Sequence, residues 1–204
     1  MATNLAQALQ LMLVTDDVLV RGRDLVGLVR AAEQGGITSV QLRLKTASAA
    51  DLAVAGRALL RAVRIPVILN DRVDVALAIG AHGVHLGPDD MPVAIARRIS
   101  PPGFVIGASV GMEGERENGA EADYWGIGPW SATSTKHDAG VALGAVGFAR
   151  LRALAGNLPC IAIGGIQPED VPAAIAAGAA GVAVVSGILG TDDVETATRR
   201  YRAL

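Results

Sequence analysis

The sequence is poor in aromatic residues and in cysteine. Phe, Trp and Tyr make up 3% of its 204 residues, so a hydrophobic core has to be built from Ala, Val, Leu and Ile. Such a core is typical of parallel strands that are buried on both faces. Cys160 is the only cysteine, which excludes an internal disulfide and leads us to expect a reducing, cytoplasmic compartment.

The sequence also lacks a long apolar run, a basic leader and a block of one charge sign. The short apolar stretch within residues 1–15 ends at Asp16 and Asp17, so we expect neither a signal peptide nor a membrane span. The formal net charge is -2 at pH 7, without the basic excess that nucleic acids and anionic membranes attract. We therefore expect small-molecule partners, and the oligomeric state stays open.

Short β-branched runs alternate with Ala-rich stretches along the whole chain. The predicted strands are residues 11–15, 39–44, 66–70, 83–86, 104–109, 122–127, 159–163 and 181–186. The predicted helices lie near 24–35, 48–63, 72–80, 91–99, 112–120, 145–155, 168–177 and 192–203. A helix after each of eight strands predicts the α/β class and a single (β/α)8 TIM barrel, one domain over residues 1–204. A flavodoxin-like open sheet, which needs fewer strands, is the alternative.

Lysine is nearly absent, since Lys45 and Lys136 are the only two among 18 basic residues. In a chain that otherwise uses Arg, a Lys suggests a position that needs a compact point charge, although codon bias would give the same pattern. Lys45 ends the run QLRLK at 41–45, where period-two alternation puts Gln41, Arg43 and Lys45 on one face. Two cations on a buried strand indicate an anion at the barrel mouth; an internal ion pair with a neighbouring carboxylate is a compatible alternative.

Carboxylates follow the third and fourth predicted strands. Asp71 comes directly after one strand, and Asp89 and Asp90 follow the next. Because these strand ends are adjacent in a barrel, Asp71 and Asp90 are predicted to reach one Mg²⁺ ion, which prefers a few carboxylates plus substrate phosphates. An N-cap for the following helix is the alternative role of Asp71.

Loops suited to phosphate follow the sixth, seventh and eighth predicted strands. The first contains GPWSATSTK at 128–136, the second Gly164 and Gly165, and the third VVSG at 184–187. Hydroxyls, a lysine and close-approaching backbone N–H groups all suit phosphate oxygens. A surface loop and an ordinary strand-to-helix turn are the alternatives. Taken together, these segments indicate a phosphate-handling barrel enzyme with two phosphorylated ligands, one bound with Mg²⁺.

The ordered motifs resemble those of the thiamine-phosphate synthase family, and the match covers nearly the whole chain. They are LMLVTD at 11–16, QLRLK at 41–45, NDRVDVA at 70–76, GVHLG at 83–87, GIGP at 126–129, TSTK at 133–136 and IGGI at 163–166. The resemblance implies a Mg²⁺-dependent condensation. In it, 4-amino-2-methyl-5-(diphosphooxymethyl)pyrimidine and 4-methyl-5-(2-phosphooxyethyl)thiazole give thiamine phosphate and pyrophosphate, by dissociative loss of diphosphate.

The resemblance also implies the site residues. The pyrimidine diphosphate would be held by Gln41, Leu42, Arg43, Leu44, Lys45, Asn70, Ser109 and Lys136. The thiazole phosphate would be held by Thr133, Ser134, Thr135, Gly165, Val185 and Ser186, and Mg²⁺ by Asp71 and Asp90. Arg43, Lys45 and Lys136 would be catalytic, because they can stabilise the charge that builds on the departing diphosphate.

Two other functions remain open at this point. One is a thiazole tautomerase of the related branch, and the other is a non-catalytic phosphothiazole-binding protein. Pro88 and Asp89 also depart from the family pattern, which more often has Gln and Glu there. His85 is expected to point inward as a hydrogen-bonded structural residue, and Trp130 to pack in the core or to wall the pocket. A lid is predicted over residues 131–143.

Overall fold

The computed structural model describes residues 4–132 and 140–202. The strands are β1 (Leu11–Val14), β2 (Ser39–Leu42), β3 (Val67–Asn70), β4 (Gly83–Leu86), β5 (Val105–Ser109), β6 (Tyr124–Ile127), β7 (Cys160–Ile163) and β8 (Gly181–Val184). The α-helices are α1 (Leu5–Ala8), α2 (Leu25–Gly35), α3 (Ala49–Ala62), α4 (Val73–Ile79), α5 (Val93–Ile99), α6 (Gly144–Leu154), α7 (Val171–Ala176), α8 (Ser186–Leu189) and α9 (Val194–Arg202). Two segments, Glu113–Gly119 and Pro168–Asp170, are 3₁₀ helices.

The eight strands form a closed parallel barrel in chain order. Each strand pairs with the next, and β1 also pairs with β8, with Leu11 opposite Val182. The predicted (β/α)8 barrel is therefore confirmed, and the open-sheet alternative is wrong because the first and last strands are hydrogen-bonded to each other.

Two hydrophobic layers follow from the alternation of side chains along each strand. The inner layer fills the barrel and includes Met12, Ile68, Tyr124, Ile161 and Ala183. The outer layer lies between the strands and the helices. It contains the strand side chains that point away from the barrel interior, such as Leu11, Leu13, Leu42 and Leu69. Aliphatic side chains predominate in both layers, as the scarcity of aromatic residues predicts.

The ends of several helices are set by local sequence. Asp24 and Ser48 cap α2 and α3 with their side chains, and Gly36 and Gly80 end α2 and α4 in the left-handed conformation. Within the described ranges, no helix combines the length and the hydrophobicity that crossing a lipid bilayer requires.

Several elements differ from the sequence-based predictions, among them α1, which was not predicted. The predicted fifth helix is a 3₁₀ helix, and Trp125 Nε1 donates to its Gly119 carbonyl at 2.9 Å. The predicted seventh helix starts as the 3₁₀ turn Pro168–Asp170 before α7. The predicted eighth strand ends at Val184, and Ser186 instead begins the short helix α8.

Candidate functional site

Arg43 lies immediately after the last residue of β2. Its backbone is hydrogen-bonded by the side chain of Thr15 and not by the backbone of a neighbouring strand. The Arg43 N–H donates to Thr15 Oγ1 at 2.8 Å, and Thr15 Oγ1 donates to the Arg43 carbonyl at 3.0 Å. The predicted alternation is confirmed at Gln41, which is buried in the barrel with 3% exposure, and at Leu42 and Leu44, which belong to the layer that faces the helices. Lys45 lies in a turn beyond the end of the strand. Arg43 is therefore fixed by its backbone at the carboxyl end of the barrel.

The two cations after β2 are each paired with a carboxylate from a neighbouring loop. Arg43 Nη1 lies 3.3 Å from Asp16 Oδ2, and Lys45 Nζ lies 3.4 Å from Asp71 Oδ2. The Lys45 side chain is still 50% exposed, so its ammonium group faces solvent at the mouth. The alternative of an ion pair with a neighbouring carboxylate is therefore present for both cations, but the pair of Lys45 is partly exposed and leaves Lys45 accessible to an anion.

Asp17 holds the backbone around Lys45. Its carboxylate accepts from Lys45 N at 2.7 Å, from Thr46 N at 3.3 Å and from Thr46 Oγ1 at 2.7 Å. Partial burial alone would raise the pKa of Asp17, but these hydrogen bonds outweigh it and the pKa is lowered. Sequence reasoning missed this role, although the polar run Thr15, Asp16 and Asp17 at the end of the first strand was the available signal.

Asp71 and Asp90 form a crowded pair of carboxylates. Asp90 Oδ2 accepts from Gly87 N at 2.6 Å. Burial and a hydrogen-bonding contact with Asp71 raise the pKa of Asp90 to about 6, and the charge of Lys45 partly offsets this rise. Two partly buried carboxylates that repel each other fit a divalent cation, which would relieve the repulsion.

The backbone of Asp71 explains how its carboxylate reaches the mouth. Asp71 adopts a left-handed φ of 63°, and its N–H donates to the His85 carbonyl at 2.9 Å across the β3–β4 ladder. Helix α4 begins after it, with Arg72 at the N-cap position. The alternative role of Asp71 as the helix cap is therefore wrong.

A chain of polar side chains forms the floor of the site inside the barrel. His85 Nδ1 lies 3.0 Å from Tyr124 Oη, and His85 Nε2 lies 3.0 Å from Ser109 Oγ. The Gln41 side chain hydrogen-bonds the Tyr124 hydroxyl, and its Nε2 also donates to Met12 Sδ at 3.8 Å. The inward, hydrogen-bonded placement predicted for His85 is confirmed, whereas the part played by Tyr124 was not foreseen.

The loops after β6 and β7 are hydrogen-bonded to each other. Trp130 N donates to the Ile163 carbonyl and Ser131 N to the Gly164 carbonyl, both at 2.9 Å. Gly165 has a φ of 70°, and a β-carbon there would lie 2.9 Å from the Ala132 carbonyl oxygen. Glycine is thus required for this close approach. Trp130 is 5% exposed and packs edge-on against Phe148, which confirms its place in the core.

The loop after β8 leads directly into α8, at which Ser186 is the first residue. The carboxyl end of α8 is held by Arg23, which donates to the Leu189 carbonyl at 2.6 Å and to the Thr191 carbonyl at 3.0 Å. Val185 packs at the edge of the inner barrel layer. Gly165, Val185 and Ser186 are therefore at the same end of the barrel as the cations and carboxylates, because all follow the carboxyl ends of strands.

Four of the predicted site residues, Thr133, Ser134, Thr135 and Lys136, lie outside the described residues, as does most of the predicted lid at 131–143. The remaining ones, from Gln41 to Ser186, lie in the last residues of strands or within a few residues after them. Asn70 ends β3 and Ser109 ends β5.

Comparisons with known proteins agree with one another. A family model described as thiamine monophosphate synthase matches residues 11–188. Thiamine-phosphate synthase of Azorhizobium caulinodans is 48% identical over 96% of this chain and 94% of its own. The thiamine-phosphate synthase of Methanoculleus marisnigri is 47% identical over 94% of this chain and 93% of its own.

Solved structures give the same result at the level of the fold. The thiamine phosphate pyrophosphorylase of Pyrococcus furiosus superposes with a TM-score of 0.87 and 35% identity, covering 98% of this chain and 96% of that one. A 3-hexulose-6-phosphate synthase shares the fold alone, at 17% identity and a TM-score of 0.71 over 96% of this chain and 99% of its own. From the family model and the two relatives, this chain belongs to the thiamine monophosphate synthase family.

Proposed function

We propose that this protein is a thiamine-phosphate synthase, a transferase that joins the pyrimidine diphosphate to the thiazole phosphate and releases pyrophosphate. The observation that carries the proposal is the contact between Lys45, Asp71 and Asp90 at the mouth of the barrel. A cation and two carboxylates at one point suit a diphosphate that arrives with a divalent metal. The relatives named above carry this activity in their names.

The pyrimidine diphosphate is proposed to bind over the β2, β3 and β5 ends. Arg43 and Lys45 supply positive charge, and Gln41, Asn70 and Ser109 supply hydrogen bonds. Leu42 and Leu44 face the helices, so they would take part through backbone groups only. Lys136, which lies outside the described residues, is proposed to reach the same diphosphate.

Asp71 and Asp90 are proposed to hold Mg²⁺, which when bound neutralises charge on the diphosphate leaving group. Arg43 and Lys45 then act on the charge that develops as the carbon–oxygen bond breaks. The thiazole nitrogen has no proton to lose, so no side chain has to act as a general base. The ion pairs with Asp16 and Asp71 keep both cations aimed at the mouth before substrate arrives.

The thiazole phosphate is proposed to bind on the opposite side of the mouth. Its contacts would come from Thr133, Ser134, Thr135, Gly165, Val185 and Ser186. The left-handed turn at Gly164 and Gly165 and the start of α8 at Ser186 offer backbone N–H groups to a phosphate. The link from Arg23 to the far end of α8 supports that position.

We also propose one domain over residues 1–204 and a cytoplasmic location. All eight strands belong to one barrel, and Cys160 is a buried free thiol, in keeping with a reducing compartment.

The test is an assay of purified protein with both substrates and Mg²⁺, with thiamine phosphate and pyrophosphate measured as products. We expect both products in equal amounts, and strongly reduced formation with Asp90→Asn. Conversion of the thiazole tautomer without condensation would identify the tautomerase branch instead. Binding of the thiazole phosphate with no turnover would identify a non-catalytic binding protein.

A further inference from the structure

The hydrogen-bond chain beneath the mouth connects two residues that we place at the pyrimidine diphosphate. Gln41 lies at one end of the chain and Ser109 at the other, on β2 and β5. Between them lie Tyr124, which is fully buried, and His85, which is 7% exposed. The two contacts of the His85 ring, to Tyr124 Oη and to Ser109 Oγ, are both 3.0 Å long.

The direction of this chain follows from the chemistry of the His85 ring. A neutral imidazole has one acceptor nitrogen and one N–H donor, and a hydroxyl oxygen lies 3.0 Å from each ring nitrogen of His85. A phenol is a stronger acid than an aliphatic alcohol, so the Tyr124 hydroxyl is the better donor of the two and takes the acceptor nitrogen. The Tyr124 O–H proton therefore goes to His85 Nδ1.

The second half of the chain follows from the imidazole tautomer. A ring that accepts at Nδ1 is neutral and carries its proton on Nε2. That N–H points at Ser109 Oγ, which is thereby the acceptor of this bond. The Ser109 hydroxyl proton is not used in the chain and is available to a ligand at the carboxyl end of β5.

Two glycines of β5 and β6 leave space for this arrangement. A β-carbon on Gly107 would lie 2.2 Å from Tyr124 Cζ, and one on Gly126 would lie 3.1 Å from His85 Cε1. The register pairs Gly107 with both His85 and Tyr124. The Tyr124 ring therefore lies over Gly107 of the neighbouring strand β5, and the His85 ring reaches across β5 to Gly126 of β6; a side chain at either glycine would displace the ring beside it.

We propose that Tyr124 and His85 are positioning residues that make Ser109 a hydrogen-bond donor to the pyrimidine diphosphate. The proposal rests on the proposed function for the identity of the ligand. It adds a specificity rule, because the ligand has to present an acceptor atom to Ser109. A ligand with a donor at that place would leave two protons facing each other.

The first test is independent of any activity. Ligand-free protein labelled with ¹⁵N in its three histidines is examined by long-range ¹H–¹⁵N NMR, and the His85 signals are assigned by their loss in His85→Gln. We expect the neutral Nε2–H tautomer. A neutral Nδ1–H tautomer, or a charged ring near neutral pH, would overturn the proposal whether or not the protein is a synthase.

The second test is a double-mutant cycle on kcat/KM for the pyrimidine diphosphate. Tyr124→Phe and Ser109→Ala are each expected to lower it about tenfold, and the double variant is expected to be no worse than Ser109→Ala alone. The KM for the thiazole phosphate should not change. Losses that simply multiply, or an equal rise in the KM for both substrates, would contradict a positioning role.

His82→Gln is the matched control for His85→Gln. His82 is a half-buried histidine at the amino end of β4, where its Nδ1 accepts from Val67 N at 3.1 Å. Its replacement should leave kcat/KM unchanged, while His85→Gln lowers it. If Tyr124→Phe does not fold, the tautomer of the unmodified protein still decides the question.

Discussion

Asp17 touches no substrate in the proposed mechanism, yet it fixes the backbone on which Lys45 is presented. Asp16 does the same for the Arg43 side chain, and Thr15 for the Arg43 backbone. The three residues that follow β1 thus form a support for the cations that follow β2. A cation held in place before substrate binds loses less conformational freedom when the diphosphate arrives.

We expect Asp17→Asn to weaken binding of magnesium pyrophosphate about tenfold, since an amide oxygen cannot replace a carboxylate that accepts three hydrogen bonds. Isothermal titration calorimetry measures this directly. Asp192→Asn, at an exposed aspartate in the loop before α9, controls for the change in net charge. Equal weakening in both variants would show that only long-range charge matters.

Asp90→Asn is expected to stabilise the metal-free protein while removing its response to metal. The variant keeps an oxygen for the Gly87 N–H and removes the repulsion from Asp71, so the melting temperature without Mg²⁺ should rise by a few degrees, about 2–4 °C. Added Mg²⁺ should stabilise the unmodified protein and not the variant. Asp89→Asn, at the exposed neighbouring residue, should behave like the unmodified protein in both conditions.

Lys136 is predicted from its sequence position alone. Lys136→Ala should lower turnover by at least about a hundredfold, as for a group that acts on developing charge. Lys136→Arg should not restore full activity, because a compact point charge is required there. Near-normal turnover of the alanine variant would exclude the catalytic role.

The residues that could be predicted are those whose position depends on one strand. Gln41 points into the barrel and Leu42 away from it because side chains alternate along a strand, whatever its neighbours are. Arg43 and Lys45 could be placed at the barrel mouth because they follow the carboxyl end of that strand. Tyr124 and Asp16 could not be assigned in this way. Their roles depend on contacts with His85 and Arg43, which only strand register and loop geometry bring about.

At the scale of elements, the two shortest α-helices, α1 and α8, were not predicted from the sequence. α1 and α8 have four residues each, which is too few for a 3.6-residue periodicity to be visible. α8 matters for function because it changes Ser186 from the end of a strand to the first residue of a helix. The long helices α2 and α3 were predicted closely, since each has a capping residue and several apolar positions.

The packing between β5 and β6 gives a prediction about stability. Gly107→Ala should destabilise the fold by about 2 kcal/mol or more, because the new methyl group would overlap the Tyr124 ring. Unfolding in urea, followed by circular dichroism, measures this change. Gly114→Ala is the control, since a β-carbon there has no atom within 4 Å. If Gly107→Ala lowers the free energy of unfolding no more than Gly114→Ala does, the packing around Tyr124 adjusts to relieve the overlap.

At the scale of the whole molecule, the barrel protects its only thiol. Cys160 lies in β7 with 0% exposure, and burial raises the pKa of its thiol to about 11. Disulfide exchange requires the thiolate, so an aromatic disulfide reagent should react very slowly with the native protein. The rate should rise with urea in parallel with unfolding; a fast reaction in the absence of urea would show that β7 opens locally.

The closed barrel was predictable because eight strand–helix repeats leave few other architectures. Which loops would meet at the mouth followed from the same argument. The nearness of Asp71 and Asp90 followed from it as well, but the left-handed backbone of Asp71 did not, since the composition of that loop does not show it.

The pairing of β1 with β8 also has a consequence for how the protein is made. The ribosome makes Gly181–Val184 only after the other seven strands, long after Leu11–Val14. Until then the growing chain is an open sheet with unpaired edges at both sides, able to pair with other nascent chains. That hazard is removed only when β8 has been made and pairs with both β7 and β1, which completes the ring.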